Sequence, residues 1–488
     1  MNIAKATGRR PARWPSIGSV PAHDAAVTDV PPPALKAFGD RFRGRLFGPA
    51  DAGYDDARTI WNGAIDRRPG LIARCADARD AVAAVRLALE HDLRVSVRGG
   101  GHGVAGLSLC DDGLVIDLSA MRGVRIDGEL GEAYVEAGAT LGELDRAAQS
   151  FGLAVPAGIV THTGVAGLTL GGGIGWLTRK HGLTVDNLLE AEVVTANGEL
   201  VRVSEHENPE LLWGLRGGGG NFGVVTSFRF RAHPIGPIVV AGPILFPLER
   251  TAEVMDVYRE WALDTPDALT TILNVRRAAA PWVPEPLQGL PVCIVIPCWC
   301  GPIEEGLAIV EPIRRLGPIL DLCEPRPWLE HQQMFDGSVE PGWHYYWKSV
   351  ELDALSPDAV DAIVQHTWSI TSTRSYTIVF QLGGAMARVG DGDTGYGRRA
   401  AGYDVNVNSV WLPVERADAS THVGWVRSLF EDLEPMSRGV YVNFLGEEGR
   451  DRVRSAYGPE TYDRLAGLKA RFDPTNLFRS NQNIPPAV

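Results

Sequence analysis

The sequence predicts an α+β protein that is built from more than one domain. The chain has 488 residues, which is too many for one ordinary hydrophobic core. Up to about residue 238, strand-like and helix-like segments alternate, and three clusters of glycine lie among them. Beyond this point the clusters disappear, and long helical patterns occur among strands. The change predicts that a second domain begins near residue 240.

The first elements are predicted from hydrophobic periodicity and from signals at helix ends. An Ala-rich helix is predicted over Asp77–Glu90, with Asp77 as its N-cap. A second helix is predicted over Thr140–Gly152, because Thr140 and Glu143 form a capping-box pattern and a glycine ends the segment. Short apolar runs predict three strands, Leu71–Cys75, Leu93–Val97 and Leu114–Leu118.

Further elements follow along the chain. Asn197 and Gly198 lie between two alternating segments, which is a strong signal for a β-hairpin. Helices are predicted over Pro357–Thr371 and, as one amphipathic segment, over Arg450–Ala470. Strands are predicted at Val224–Phe230, Tyr376–Leu382 and Tyr403–Trp411.

The composition argues against several classes of partner. The formal net charge is −13, and no basic face stands out, so neither nucleic acid nor an anionic membrane is expected as a partner. Without a run of eighteen apolar residues, no transmembrane helix is expected. Six scattered cysteines do not suit a disulfide framework, which favours buried thiols and a reducing cytoplasm. Cys298 and Cys300 form a C-x-C pair, but such a pair alone rarely binds a metal, and no metal site is predicted.

Three glycine clusters, Gly99–Gly101, Gly171–Gly173 and Gly217–Gly220, adjoin apolar strand-like sequence. Glycine permits positive φ and lets backbone N–H groups approach an anion closely. One cluster is equally compatible with an ordinary tight turn, whereas three indicate several backbone approaches to one extended ligand. A cofactor with a diphosphate and a large ring suits this pattern. His102 follows the first cluster, and the glycines around it would let a rigid ring system come within bonding distance.

Five motifs together resemble the berberine bridge enzyme-like flavin oxidases of the vanillyl-alcohol oxidase superfamily. They are R-G-G-G-H-G at 98–103, G-V-A-G-L-T-L-G-G-G-I-G-W-L at 164–177, L-W-G-L-R-G-G-G-G-N-F-G at 212–223, Y-V-N-F at 441–444 and F-D-P-T-N-L-F-R-S-N-Q-N-I-P at 472–485. The match runs from roughly residue 55 to residue 486. Among bacterial members, the glycine-rich region looks most like 6-hydroxynicotine oxidases and antibiotic-pathway oxidases.

The resemblance implies a split FAD-binding domain of the PCMH type, with an inserted substrate domain whose antiparallel sheet covers the flavin ring. Residues 40–238 and 440–488 would form the FAD domain, and residues 239–439 the substrate domain. Residues 1–39 would be an N-terminal extension, and we expect its first thirty residues to be loose. In this family the histidine of the first motif bonds to the flavin 8α-methyl group, and here that residue is His102.

The resemblance also assigns a set of residues to the cofactor. Apart from His102, the predicted FAD-binding residues are Arg98, Gly99, Gly100, Gly101, Gly103, Val160, Thr163, Gly164, Gly167, Gly171, Gly172, Gly173, Gly175, Asp186, Asn187, Gly223, Val225, Tyr441, Asn443, Asn481 and Asn483.

Two positions depart from the family's pattern. Many relatives form a second flavin bond from a cysteine, but Val160 stands at that position, so a single covalent bond is expected. Several relatives carry a tyrosine as catalytic base at the end of the Y-x-N-Y motif, where this chain has Phe444. If the motif is a strand, alternation places Tyr441 and Asn443 on one face and Phe444 on the other.

The candidate catalytic residues are therefore polar residues near the expected flavin position: Tyr441, Asn406, Asn408 and Gln381. Asp404, Asn406 and Asn408 alternate on one face of a predicted strand. In a half-buried strand such residues usually face solvent, but the resemblance places this sheet over the flavin. Lys348 could either tune a pKa or lie at the surface. For His162 and His181, structural hydrogen bonding is the expected role.

The resemblance implies an FAD-dependent oxidase that removes a hydride from a small amine, alcohol or sugar-like molecule and passes electrons to O2. Two alternatives remain: an FAD-dependent dehydrogenase with another acceptor, and a flavin-binding protein without redox turnover, which the missing tyrosine makes conceivable. Because an uncharged amine can release a hydride without an enzyme base, the sequence slightly favours an amine or a similarly self-activated substrate.

Overall fold

The computed structural model describes residues 24–280 and 282–487. Its sheets and helices form an α+β fold in which the N-terminal and C-terminal parts of the chain pack together around an inserted middle part. This is the predicted split FAD-binding fold with an inserted antiparallel sheet.

A four-stranded sheet begins the N-terminal part. In spatial order its strands are Arg45–Phe47, Leu71–Arg74, Leu114–Asp117 and Val95–Arg98. The last three run parallel, and the helix Ala78–Glu90 makes one crossover between them. The helix starts as predicted, because the Asp77 side chain accepts hydrogen bonds from the backbone N–H groups of Arg79 and Asp80.

An antiparallel five-stranded sheet completes the N-terminal part. Its strands, in spatial order, are Val124–Asp127, Glu132–Glu136, Gly223–Arg231, Leu188–Thr195 and Leu200–Ser204. The predicted hairpin joins the last two strands, with Gly198 at φ +75° in the turn. Thr140 and Glu143 form the predicted capping box of the helix Leu141–Gln149. A short two-stranded sheet pairs Leu153–Ala154 with His233–Pro234.

The middle part is built on a large antiparallel sheet. Seven strands form its main path, Leu320–Asp321, Ile244–Pro247, Pro291–Trp299, Leu269–Arg277, Tyr376–Gln381, Tyr403–Trp411 and His344–Leu352. Two more strands, Ile238–Ala241 and Glu324–Pro327, join its edge. Three helices, Thr251–Leu263, Pro357–Trp368 and Ala419–Leu433, share a hydrophobic core with this sheet.

The remaining α-helices have between four and fourteen residues each. They are Pro32–Gly39, Tyr54–Arg58, Val165–Leu170, Thr178–His181, Pro209–Leu215, Ile303–Ile309, Glu311–Arg314, Trp328–Gln332, Ala385–Arg388, Arg450–Tyr457 and Pro459–Phe472. None of the helices in the described ranges is both long and apolar enough to cross a membrane.

The C-terminal part packs against the N-terminal part. Val440, Leu465, Leu477 and Ile484 belong to the same hydrophobic core as the two N-terminal sheets. The buried Lys469 ammonium donates to the carbonyls of Asn221 (2.7 Å) and Phe478 (2.8 Å) and to Asp473 (2.6 Å). This is the packing that a split domain requires.

The structure corrects two predictions in the terminal regions. Residues 24–30 are not loose, since Val27 and Val30 are buried in the core and Ala25 forms a bridge with Leu93; residues 1–23 lie outside the described residues. The predicted helix over Arg450–Ala470 is two helices, because Gly458 takes φ +72° between them and a proline starts the second.

Candidate functional site

A cavity of about 380 Å³ lies where the glycine-rich loops, one face of the large sheet and the C-terminal segment meet. Most of the predicted site residues line it: Gly99, Gly100, Gly101, His102, Gly103, Val160, Thr163, Gly164, Gly167, Gly171, Gly223, Val225, Asn406, Asn408, Tyr441, Asn443 and Asn481. Residues from three distant parts of the sequence therefore converge on one cavity.

Two of the glycine loops cross at the cavity wall, and the crossing needs glycine. A Cβ on Gly100 would lie 2.5 Å from the backbone of Gly164, and a Cβ on Gly164 would lie 2.4 Å from the nitrogen of Gly100. Gly103 and Gly167 have open space where a Cβ would point. The first pair therefore lets the loops approach each other, while the second pair leaves room for a bound group.

The His102 side chain is held on two sides at the cavity wall. Its ring stacks on Trp61 with centroids 4.1 Å apart and planes 15° apart. Its Nε2 lies 3.1 Å from Nδ1 of His162, at hydrogen-bond distance. Loss of hydration, and secondarily the neighbouring His162, lower the pKa of His102 to about 3. The imidazole is therefore neutral near pH 7, and a neutral ring nitrogen can form a bond to an electrophilic carbon.

No thiol is available for a second attachment. Val160 lines the cavity at the position where relatives have cysteine, and none of the six cysteines does so. All six thiols are free and buried. Cys298 and Cys300 lie with their sulfur atoms 3.9 Å apart in the middle part.

The Y-V-N-F segment is a turn, and the strand alternation predicted for it is wrong. Val442–Phe444 forms a short 3-10 helix, so Tyr441 and Phe444 do not point to opposite faces. Their rings meet edge to face with centroids 4.9 Å apart, and both line the cavity.

The Tyr441 hydroxyl is occupied by structural hydrogen bonds. It accepts from the backbone N–H of Gly173 (2.7 Å) and from Nδ2 of Asn443 (2.8 Å). Burial, only partly offset by these hydrogen bonds, raises the pKa of Tyr441 to about 12. The phenol is therefore protonated near neutral pH, which argues against Tyr441 as a catalytic base.

The large sheet contributes the opposite wall. Asn406 and Asn408 line the cavity although the strand Tyr403–Trp411 is buried along its whole length. Gln381 does not line the cavity. Phe380, its neighbour on the strand, faces the cavity, and alternation therefore turns Gln381 to the other face of the sheet. There it accepts hydrogen bonds from the N–H and hydroxyl of Thr271.

Four polar residues predicted to bind FAD lie outside the cavity wall. Arg98 donates to the carbonyl of Ala57, Asp186 forms a buried ion pair with Arg399 at 2.7 Å, and Asn187 donates to the carbonyls of His181 and Leu183. Asn483 also lies outside, although Asn481 lines the cavity. Partners outside the cavity satisfy Asp186 and the amide N–H groups of Asn187, whereas the Nε of Arg98 is buried without a hydrogen-bond partner among the described residues.

Three predicted glycines serve packing and do not line the cavity. A Cβ on Gly173 would lie 2.0 Å from the Thr184 hydroxyl, and one on Gly175 would lie 1.8 Å from the carbonyl oxygen of Ala157. A Cβ on Gly172 would lie 2.7 Å from the ring of Tyr396. The cluster thus bends the chain beside the cavity, and its first glycine, Gly171, lines the wall.

The other polar residues considered in the sequence have structural partners. Lys348 forms an ion pair with Glu448 at 2.6 Å. His181 stacks on His233 with centroids 3.9 Å apart, but its buried Nε2 has no hydrogen-bond partner among the described residues, contrary to the structural hydrogen bonding predicted for it. Asp404 lies beyond Asn406 on the same strand, where one carboxylate oxygen accepts from the Ser349 hydroxyl at 2.8 Å. Burial raises the pKa of this carboxyl to about 7.

Several lining residues were missed in the sequence. They are Trp61, Ser108, Asn221, Trp347, Tyr376, Ile378, Phe380, Tyr457, Phe478, Ser480 and Gln482. The third glycine cluster and the C-terminal motif pointed to some of them. Trp61, Ser108 and Trp347 stand in no such motif.

The cavity wall suits an extended cofactor whose polar atoms can form hydrogen bonds with it. Within the part of the chain that the structure describes, Ser108 Oγ, Tyr457 OH and Asn481 Oδ1 are buried without a hydrogen-bond partner. All three residues line the cavity. Buried polar atoms are normally satisfied, so these atoms are suited to hydrogen bonds with a bound ligand. Glycine loops and unpartnered polar atoms together suit FAD.

The fold and this cavity define the class of FAD-linked oxidoreductases. A family model described as FAD binding domain matches residues 69–204, and one described as berberine and berberine like matches residues 440–485. The two matches lie on either side of the inserted sheet.

Full-length relatives agree with these matches. The uncharacterized FAD-linked oxidoreductase YgaK of Bacillus subtilis is 34% identical over 91% of this chain and 98% of its own. The (R)-6-hydroxynicotine oxidase of Paenarthrobacter nicotinovorans is 30% identical, with 91% and 97% covered. The xylooligosaccharide oxidase of Thermothelomyces thermophilus is 31% identical, with 88% and 89% covered.

A solved structure shows the same fold. The crystal structure of 6-hydroxy-D-nicotine oxidase from Arthrobacter nicotinovorans matches with a TM-score of 0.80 at 30% identity, over 91% of this chain and 98% of the other. This chain belongs to the berberine bridge enzyme-like family of FAD-linked oxidases.

Proposed function

We propose that this oxidoreductase holds one FAD through a single covalent bond at His102 and oxidises a small organic molecule with O2. The substrate loses a hydride and a proton, and O2 takes up two electrons and two protons to become hydrogen peroxide. The observation that carries the proposal is the placement of His102, which is neutral, fixed on two sides and part of the cavity wall.

Different residues around the cavity would bind the cofactor, orient His102 and orient the substrate. Gly103, Gly167 and the unpartnered atoms of Ser108, Tyr457 and Asn481 would hold the cofactor. FAD in this cavity supplies a two-electron acceptor. Trp61 and His162 keep the His102 ring in one orientation. The aromatic side chains of the large sheet orient the substrate opposite the glycine loops.

No residue of the Y-V-N-F segment can act as the base that accepts the proton of the substrate. Phe444 has no proton acceptor, and the Tyr441 hydroxyl is protonated and hydrogen-bonded. The amides of Asn406 and Asn408 do not act as bases near neutral pH. We therefore propose that solvent accepts this proton.

The proposal also covers the size of the substrate and the cellular compartment of the protein. The named oxidases among its relatives act on 6-hydroxynicotine and on xylooligosaccharides, which supports a small molecule as substrate. Six free, buried cysteines support a reducing compartment, and we place the protein in the cytoplasm.

The attachment is tested on denatured holoprotein. Flavin fluorescence should stay with the polypeptide after acid precipitation, and mass spectrometry should find the flavin on the peptide that contains His102. In His102→Ala the flavin should be released on denaturation. His181→Ala, which changes a histidine outside the cavity, should keep the bond. Flavin that washes out of the parent protein, or that is attached to a cysteine, would contradict the proposal.

The reaction is tested by stopped-flow reduction with a panel of small alcohols, amines and sugars, followed by exposure to air. An oxidase should be reduced under anaerobic conditions and reoxidised rapidly, with formation of hydrogen peroxide. Slow reoxidation would indicate a dehydrogenase with another acceptor. A flavin that every panel member leaves oxidised would indicate a protein without redox turnover.

A further inference from the structure

The wall that the large sheet gives to the cavity is aromatic. Trp347 and Phe380 come from two of its strands, and Phe444 packs against them from the C-terminal part. The Phe444 ring centroid lies 5.8 Å from that of Trp347 and 5.8 Å from that of Phe380. Ile378 lies on the same strand face as Phe380. Such a wall favours a flat, apolar molecule, which buries its ring against other rings.

Two buried hydrogen-bond donors stand in this wall without a partner. Asn406 is 2% exposed, and its Nδ2 finds no acceptor among the described residues. The indole N–H of Trp347 is likewise buried and unpartnered within the described ranges. Asn408, by contrast, uses its Nδ2 to donate to the carbonyl of Asn406 at 2.9 Å. An acceptor oxygen on the substrate would satisfy the two free donors.

The cavity wall carries no formal charge. Of the described residues that line it, none is aspartate, glutamate, lysine or arginine. Lys348 and Asp404 lie on neighbouring strands, but the first is paired with Glu448 and the second accepts from Ser349, both outside the cavity. An ammonium or a carboxylate would lose its hydration here and gain no counter-ion, which strongly disfavours its binding.

From this wall we infer that the substrate is an uncharged aromatic or ring-fused alcohol, whose ring lies on Trp347, Phe380 and Phe444 and whose oxygen accepts hydrogen bonds from Asn406 and Trp347. The inference rests on the proposed oxidase function and names its substrate class. The C–H bond gives up a hydride, the O–H proton passes to solvent and a C=O bond forms, while O2 takes up two electrons and two protons to become hydrogen peroxide. It replaces the preference for an amine drawn from the sequence.

A sugar fits this wall less well. Each of its hydroxyl groups needs hydrogen-bond partners once buried, and the sheet face offers mainly rings and aliphatic side chains. An amine of the same shape must shed a proton before it enters. The uncharged aromatic alcohol is the class that satisfies the donors without bringing a charge or surplus hydroxyl groups.

Binding to FAD-loaded protein at pH 7 tests the inference through shifts of the flavin absorbance spectrum. The probes are 1-(2-naphthyl)ethanol, its amine counterpart 1-(2-naphthyl)ethylamine as the ammonium ion, 2-naphthoate and cellobiose. The alcohol should bind at least about tenfold more tightly than each of the others. Equal or tighter binding of the ammonium ion, the carboxylate or the sugar would overturn the inference.

Two variants locate the preference on the sheet wall. Asn406→Asp places a carboxylate in the cavity and should shift the alcohol-to-ammonium ratio towards the ammonium ion by about tenfold or more. Asn197→Asp, the same change on an exposed hairpin turn, should leave the ratio unchanged. Trp347→Phe keeps a ring and removes a donor, so it should weaken binding of the alcohol more than binding of naphthalene, which has no acceptor oxygen. An unchanged ratio in Asn406→Asp, or unchanged alcohol binding in Trp347→Phe, would contradict the inference.

The same experiment separates the two proposals. Preferential binding of the alcohol to a flavin that every member of the stopped-flow panel leaves oxidised supports the inferred cavity chemistry and contradicts the oxidase. Flavin reduction by cellobiose with rapid reoxidation in air, and none by the alcohol, supports the oxidase and overturns the inferred substrate class.

Discussion

Tyr441 shows how a residue can be placed at a reaction site and still be unsuited to chemistry. Its hydroxyl accepts two hydrogen bonds, from the Gly173 N–H and from Asn443. Burial raises its pKa to about 12, so near neutral pH it has no deprotonated form with which to accept a proton. The tyrosine therefore supports the turn at Gly173 beside the cavity.

We expect Tyr441→Phe to keep FAD and to keep flavin reduction within about tenfold of the parent rate. The change removes the acceptor for a buried N–H of Gly173, which should cost about 1–3 kcal/mol in stability. Thermal unfolding measures the cost, and anaerobic stopped flow with 1-(2-naphthyl)ethanol measures the rate. Abolished reduction in a variant that retains FAD would make Tyr441 the base after all.

At the scale of the elements, the crossing of two glycine loops fixes where the cofactor can bind. Gly100 and Gly164 lie so close that a Cβ on either would approach the backbone of the other within 2.5 Å. Real Cβ atoms do not tolerate such contacts with a backbone, and a packed interior cannot move away cheaply. The two loops therefore keep their mutual position only while both residues are glycine.

Gly100→Ala should lower the thermal midpoint of unfolding clearly, with a cost of about 1–3 kcal/mol from overpacking, and should reduce FAD content. Gly103→Ala is the matched control, because nothing lies within 4 Å of its added Cβ. This variant should unfold at the parent temperature in the absence of FAD. If both variants lost the same stability, the loop crossing would not be the cause.

At the scale of the whole molecule, one buried lysine ties the C-terminal segment to the N-terminal part. Lys469 reaches the carbonyl of Asn221 at 2.7 Å, across a separation of 248 residues along the chain. It also pairs with Asp473, whose carboxylate accepts from the N–H groups of Leu477 and Phe478. The segment so held brings Asn481 to the cavity.

Lys469→Met should therefore disturb the cavity from a distance. The change leaves Asp473 as a buried charge without its partner, which should cost about 3–5 kcal/mol. We expect faster proteolysis after residue 472 and a loss of FAD content. Lys36→Met removes a lysine from an exposed pair with Asp40 and should have almost no effect. Unchanged proteolysis in Lys469→Met would show that hydrophobic packing alone holds the segment.

The sequence by itself determined the local features of this protein. The helix Ala78–Glu90, the capping box at Thr140 and the strand Tyr403–Trp411 followed from periodicity and end signals. Glycine clusters indicated the cofactor cavity because glycine, without a side chain, lets the backbone approach a ligand or another loop closely. Each of these signals lies within a few neighbouring residues. Local backbone preferences are strong enough to determine the helix ends, caps and strands that the signals predict.

Only the tertiary structure decided which side chains of those elements reach the cavity. Phe380 faces it and Gln381 does not, because the pairing of the large sheet fixes the face of each strand. Asp186 does not line the cavity. It pairs with Arg399, 213 residues away along the chain, because a buried carboxylate is stable only with a charge partner. The uncharged wall likewise depends on partners brought together from distant segments, and no short stretch of sequence contains that information.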